Sequence, residues 1–220
     1  MTTEPPQEPH PLALLSHELR TPLNAVIGYA DAMRGEAFGP LPTAYKHQAA
    51  IIHAAALHLL ALVNDMTDIA RADAGVWAGE PQRFSVTAAA HAIVTLLAPR
   101  AAEAGVAIRT EIDDGLGDVR ADRRAIVQIL INLIDNALKF TPRGGEIVVV
   151  LAGEGRDLRL EVADSAPGEA VRPPDAGEGS GLGLSLARSL CRLHGGALTF
   201  ERRRGIGATV EVRLPVLVEA

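Results

Sequence analysis

Leu12, Leu15, Leu19, Val26 and Met33 recur at intervals of three, four and seven residues. That spacing draws one apolar seam along the side of a helix. A second seam, Ile52, Ala55, Leu59, Leu62, Met66 and Ile69, alternates steps of three and four throughout. The stretch RGEAFGPLP at 34–42 lies between them and reads as a loop from its Gly and Pro. Two seamed helices and a short loop make a helical hairpin, and one hairpin leaves each seam half covered. Two hairpins paired into a four-helix bundle cover both, so residues 12–73 are expected to form a homodimer. Pro22 removes one ladder hydrogen bond and is expected to kink the first helix.

The pattern changes after AGVWAGEPQR, 74–83, a linker whose Trp77 either packs between domains or stays a partly exposed aromatic. A helix at about 87–104 precedes a strand, VAIRTEI, at 106–112. ADRRAIVQILINLIDNALKF, 121–140, reads as a long helix stopped by Thr-Pro and Gly-Gly. EIVVVLA, 146–152, and DLRLEVAD, 157–164, read as strands, LGLSLARSLCRLHGG, 182–196, as a helix with a Gly stop, and ALTFER, 197–202, with GATVEVRL, 207–214, as a closing hairpin. Helices mixed with mostly antiparallel strands predict a two-layer α/β sandwich. The fold class is thus α plus α/β, with a disordered N-terminus at 1–11, a helical domain at 12–73, the linker at 74–83 and the sandwich at 84–218.

With 48% hydrophobic and 22% charged residues, the 220-residue chain is globular. A net charge of −6 disfavours nucleic acid and anionic lipid as partners. One cysteine, Cys191, excludes an internal disulfide framework and fits a reducing compartment. The Pro-rich, acidic MTTEPPQEPH has no signal-peptide pattern, and no uninterrupted apolar run reaches the ~18 residues of a spanning helix. A cytoplasmic protein without membrane insertion is expected. Only eleven residues precede the first seam, so no sensor domain is expected.

With 12, 15 and 19 on the seam, His17 falls on the opposite side of its helix. An exposed imidazole titrates near neutrality and can act as a nucleophile. Glu18 can hydrogen-bond one ring nitrogen, and Thr21 lies four residues on, one turn along the same face. The plainer alternative is a surface histidine near a helix start, with Glu18 serving the helix dipole. A zinc-protease reading fails because HELRT lacks the second histidine of H-E-x-x-H.

SHELRTPLNAVIGYADAM resembles the phosphoacceptor motif of sensor histidine kinases with a HisKA-type dimerisation domain; the match runs through seven consecutive residues, His17 to Leu23. The resemblance implies that His17 accepts the γ-phosphoryl group of ATP with Glu18 as base. It also implies that the group passes to an aspartate of a response-regulator receiver domain. Glu18 and Thr21 would form the E-x-x-T pair associated with dephosphorylating the regulator.

Asn132, Asn136 and Lys139 sit at i, i+4 and i+7, away from the apolar face of Ile126, Leu130, Leu133 and Ala137. Amide oxygens are hard ligands suited to Mg²⁺, and an ammonium suits phosphate. A solvated helix face explains the same residues as readily. NLIDNALKF is similar to the N-box of the GHKL (Bergerat-type) ATPase domain, which implies Asn136 as the Mg²⁺ ligand and Asn132 and Lys139 as phosphate contacts. Asp164 ends a strand, and Asp164 to Gly168 resembles that family's D-x-G-x-G box, whose aspartate reads the adenine amine. Ala166 stands where the first glycine would; if the position needs a positive φ, alanine costs about 1 kcal/mol. GEGSGLGLS, 177–185, is similar to the second glycine box, so Gly179, Gly181 and Gly183 would present backbone N–H groups to phosphates. Rossmann and Walker A spacings do not match. Only eight residues, 169–176, separate Gly168 from Gly177, which is shorter than the family's usual ATP lid and without an aromatic.

Two functions are therefore expected. The first is a histidine kinase core that phosphorylates His17 from Mg-ATP, with a separate sensor protein as a further partner. The second is a phosphotransfer or phosphatase module whose ATPase-like domain is a degenerate scaffold that does not use ATP.

Overall fold

The computed structural model describes residues 11–77, 79–165, 182–203 and 207–219, without the side chains at 11–15, 17, 202–203 and 217–219. The expectations placed on residues 1–10, Ala166, Gly168, Gly179, Gly181, the short connection at 169–176 and the His17 side chain lie outside these. The chain divides into two compact units, one ending at Ala70 and one starting at Arg71.

The first unit is a hairpin of α1 (Pro11–Arg34) and α2 (Thr43–Asp73). α1 is continuous through Pro22, whose missing N–H removes one ladder bond without ending the helix. Three contacts fix an antiparallel register. Ser16 and Thr67 share a buried hydroxyl–hydroxyl hydrogen bond, Arg20 Nη2 donates to Asn64 Oδ1 over 2.8 Å, and Arg34 Nη1 lies 3.3 Å from His53 Nδ1. Among the described residues of this unit, those buried are small: Ser16, Ala30, Ala49, Ala56 and Thr67. None of the large seam residues whose side chains are described is buried. Leu19 and Val26 are each 42% exposed, Ile52 47%, Leu59 50% and Met66 53%. Small residues let the two helix backbones approach, and these five seam residues are left exposed. By length and composition alone α2 is apolar enough to cross a bilayer, although no single apolar run in it is long enough.

The second unit follows the order β1 (Gln82–Phe84), α3 (Val86–Ala104), β2 (Ala107–Ile112), β3 (Asp118–Ala121), α4 (Arg123–Phe140), β4 (Glu146–Glu154), β5 (Asp157–Asp164), α5 (Leu182–Leu193), β6 (Ala197–Arg203), β7 (Gly207–Pro215) and β8 (Leu217–Glu219). Five strands form one sheet in the order β2-β4-β5-β7-β6, parallel at β2–β4 and antiparallel elsewhere. Alternation in β5 buries Leu158, Leu160 and Val162 and turns Arg159 and Glu161 to the other face, where they pair at 2.7 Å. The buried face receives the helices, α3 on β2, α4 on β4 and β5, and α5 on β6 and β7. A second sheet, β1-β3-β8, joins strands too short to show a period in the sequence.

Local chemistry sets the helix ends. Ser85 caps α3 by accepting from Ala88 N at 3.1 Å. Asp122 caps α4, its Oδ1 accepting from Arg124 N at 2.8 Å and Ala125 N at 3.1 Å. Thr141 ends α4 with its hydroxyl donating to Ala137 O at 2.7 Å.

Candidate functional site

The candidate residues fall on both units. His17, Glu18 and Thr21 lie within α1, and the side chains of Glu18 and Thr21 are exposed. Ser16, one residue before His17, is held in the hairpin by Thr67, which also donates to Val63 O at 2.7 Å. The backbone carrying His17 is therefore pinned on its inner side.

In the second unit, α4 carries Asn132, Asn136 and Lys139. Their environments differ more than their spacing suggests. Lys139 is exposed, with its ammonium 5.4 Å from the centre of the Phe140 ring. Asn136 is half-buried. Asn132 is only 8% exposed, which corrects the solvated-face reading for that residue. Its Oδ1 accepts from Gln128 Nε2 at 3.1 Å, while its Nδ2 is buried and has no hydrogen-bond partner among the described residues. A buried donor without an acceptor costs about 1–3 kcal/mol, so it marks a place where an acceptor belongs.

Gly183 sits beside it. A methyl group built on Gly183 would come within 3.8 Å of the Asn132 side chain. Gly183 is in the first turn of α5, where backbone N–H groups have no partner within the helix. The fold thus brings Asn132 and Gly183 together, as an orphan amide donor beside a helix N-terminus. This pair suits an anion such as a polyphosphate.

Asp164 ends β5, opposite Ile147 of β4. Its Oδ1 accepts from Ala208 N over 3.2 Å. Gly207, at φ +136°, lets β7 pass the Asp164 carbonyl so closely that a Cβ there would overlap it. Ser165 then donates its N–H to Glu146 O at 3.0 Å and accepts from Glu146 N through Oγ at 2.8 Å, tying the strand end to β4.

The residues present are chemically suited to a nucleotide. Asn132 and Gly183 offer donors for phosphoryl oxygens, Asn136 offers an amide oxygen, and Lys139 offers charge. Among the described residues no group of three or more His, Cys, Asp or Glu could hold a metal. A Mg²⁺ at Asn136 would thus take its remaining ligands from phosphate and water.

One cluster was not singled out in the sequence. Asp122 Oδ2 accepts from Trp77 Nε1 at 2.9 Å and lies 3.6 Å from His194 Nε2. The Arg124 guanidinium stacks over the Trp77 ring at 4.9 Å. Gly79 passes so near that a Cβ would overlap the Asp122 carboxylate. The linker is therefore fastened to the start of α4 and the end of α5. Asp before a long helix is a cap signal that would have flagged Asp122.

Residues 12–75 match the family model "His Kinase A (phospho-acceptor) domain", and residues 121–218 match "Histidine kinase-, DNA gyrase B-, and HSP90-like ATPase". The chain belongs to the sensor histidine kinases. Among relatives in that family, the histidine protein kinase DivJ of Caulobacter vibrioides is 44% identical over 94% of this chain and 37% of its own length. The cell-division control histidine kinase PdhS of Brucella abortus is 32% identical over 93% of this chain and 22% of its own length. The chain therefore spans less than half of either relative. The crystal structure of full-length ShkA in complex with AMPPNP superposes with a TM-score of 0.81 at 31% identity, covering 95% of this chain and 46% of that chain.

Proposed function

We propose that the chain is a histidine kinase core that transfers the γ-phosphoryl group of Mg-ATP to His17 and then to an aspartate of a response-regulator receiver domain. The observation that carries this reading is the orphan Nδ2 of Asn132 beside the α5 N-terminus, in a chain whose α1 holds the phosphoacceptor motif. In the reaction a ring nitrogen of His17 attacks the γ-phosphorus. The bond from that phosphorus to the bridging oxygen breaks, and ADP leaves with the electron pair. Glu18 takes the proton from the other ring nitrogen. When bound, Mg²⁺ supplies charge neutralisation to the phosphates. Asn136 holds it, Asn132, Lys139, Gly179, Gly181 and Gly183 hold the phosphates, and Asp164 and Gly168 hold the adenine. Positioning and electrostatic neutralisation account for most of the catalysis.

The acceptor domain spans 12–73, the linker 74–83 and the ATPase domain 84–218. The exposed large seam of α1 and α2 supports a homodimer and accounts for the apolarity of α2 without a membrane. The protein acts in the cytoplasm. Glu18 and Thr21 also support dephosphorylation of the regulator.

A second reading is favoured by Ala166 and the short connection at 169–176. In it the ATPase-like domain is a scaffold, and His17 gains its phosphoryl group from a phosphorylated regulator. Incubation with γ-labelled Mg-ATP decides between them. Label in the wild type that is lost in His17→Ala and Asn136→Ala supports the kinase. No label from ATP, together with label at His17 from a phospho-regulator, selects the second reading.

A further inference from the structure

The ATP reading above underlies a role for Gln128, which lies one helical turn before Asn132 on α4. Its Nε2 donates to Asn132 Oδ1 at 3.1 Å. An amide whose oxygen is engaged has its NH₂ group turned the other way. In Asn132 that NH₂ is the orphan, buried where water cannot compensate for a wrong orientation. The neighbouring Gly183 belongs to the first turn of α5, whose N–H groups have no partner within the helix. An anion satisfies both sets of donors at once.

We propose that Gln128 is a positioning residue that fixes the Asn132 amide with its N–H toward the phosphoryl oxygens. Asn132 is thereby a donor only, and the amide oxygen for the metal comes from Asn136. Without Gln128 the Asn132 amide can rotate. With a carboxylate at position 128 it must rotate, since the carboxylate accepts from Nδ2 and turns Oδ1 to the phosphates, oxygen against oxygen.

The test compares Gln128→Glu and Gln128→Met with wild type in the full chain. Equilibrium titrations use a non-hydrolysable ATP analogue with Mg²⁺ and, separately, adenosine. Gln128 is half-buried on the helix surface, and Met keeps its length, so both variants are compatible with the fold. The expected result is that Gln128→Glu weakens the analogue about tenfold or more, the scale of a lost hydrogen bond to a charged group. Gln128→Met weakens it by a smaller factor. Adenosine, which has no phosphate, stays within about twofold for both. The inference is overturned if Gln128→Glu changes analogue affinity by less than twofold, or if adenosine weakens in parallel, as a general distortion of α4 would require. Wild type that binds adenosine but not the analogue also overturns it. Wild type that binds neither overturns the ATP reading itself and this inference with it.

Discussion

Gly207 and Gly155 both have positive φ, +136° and +65°, yet their surroundings differ. A Cβ on Gly155 meets nothing within 4 Å, whereas one on Gly207 overlaps the backbone of Asp164. Gly155→Ala is therefore expected to cost only the conformational term of about 1 kcal/mol. Gly207→Ala adds a backbone overlap that the β5–β7 ladder must absorb, for a total above ~2 kcal/mol. Urea unfolding of the pair measures the difference. Since Asp164 is displaced only in the second, only Gly207→Ala is expected to weaken nucleotide binding as well. Cys191 is a second residue whose surroundings decide its behaviour. It is fully buried, and burial pushes its thiol up to about 12 from an ordinary value of 9.0. A raised folded-state pKa means the thiol's contribution to stability is complete below pH 9 and is lost as pH rises toward 12. Unfolding midpoints measured from pH 8 upward should fall more steeply for wild type than for Cys191→Ala. At pH 8 an aromatic disulfide reagent should label Cys191 far more slowly in the folded chain than in urea.

At the scale of elements, the node around Asp122 joins three segments through one carboxylate. Oδ1 caps α4, and Oδ2 receives the Trp77 indole and faces His194. Asp122→Ala removes a cap worth about 1 kcal/mol and leaves a half-buried indole N–H without its acceptor, about 1–2 kcal/mol more. Trp77→Phe removes only the second contribution. A double-mutant cycle should give about 1 kcal/mol of coupling between the two. Trp77 is the sole tryptophan, so its emission should shift to the red in Asp122→Ala as the linker loosens. The sequence showed most of these elements. The helices at 123–140 and 182–193 and the strands at 146–154 and 157–164 follow from strong periodicity and stop signals. The three-residue strands β1 and β8 were not visible, because three residues carry no period. The node was not visible either, since Trp77 and His194 meet Asp122 across 45 and 72 positions and nothing local marks the meeting. Of the candidate site, the residue types of α4 were legible, but the burial of Asn132 was not. It depends on α5 packing against α4, and Gly183 has no side chain to announce that contact.

On the scale of the whole molecule, the hairpin sorts its apolar residues by size. Ala30, Ala49 and Ala56 are buried within one chain, while Leu19, Val26, Ile52, Leu59 and Met66 remain about half exposed. A spacing argument finds the second set first, because alanine is too good a helix former in any environment to stand out as a contact residue. The two sets explain each other. Alanines bring α1 and α2 close, and the larger side chains are left about half exposed, uncovered by the described residues. Burying such side chains is worth about 25 cal/mol per Å² of apolar surface removed from water, so a second hairpin gains several kcal/mol from covering them. If that partner is a second copy, a charge among them must be buried twice per dimer without a counter-charge, at a cost of several kcal/mol each time. Leu59→Asp is therefore expected to convert the protein from dimer to monomer in analytical ultracentrifugation at micromolar concentration. Ala54→Asp, at an exposed position of α2 outside the predicted seam, should leave the dimer intact. Nucleotide binding belongs to the unit that starts at Arg71 and should survive Leu59→Asp with unchanged affinity. A Leu59→Asp protein that stays dimeric would move the interface elsewhere. One that loses nucleotide affinity along with dimerisation would mean that the second unit's site is completed only in the assembly.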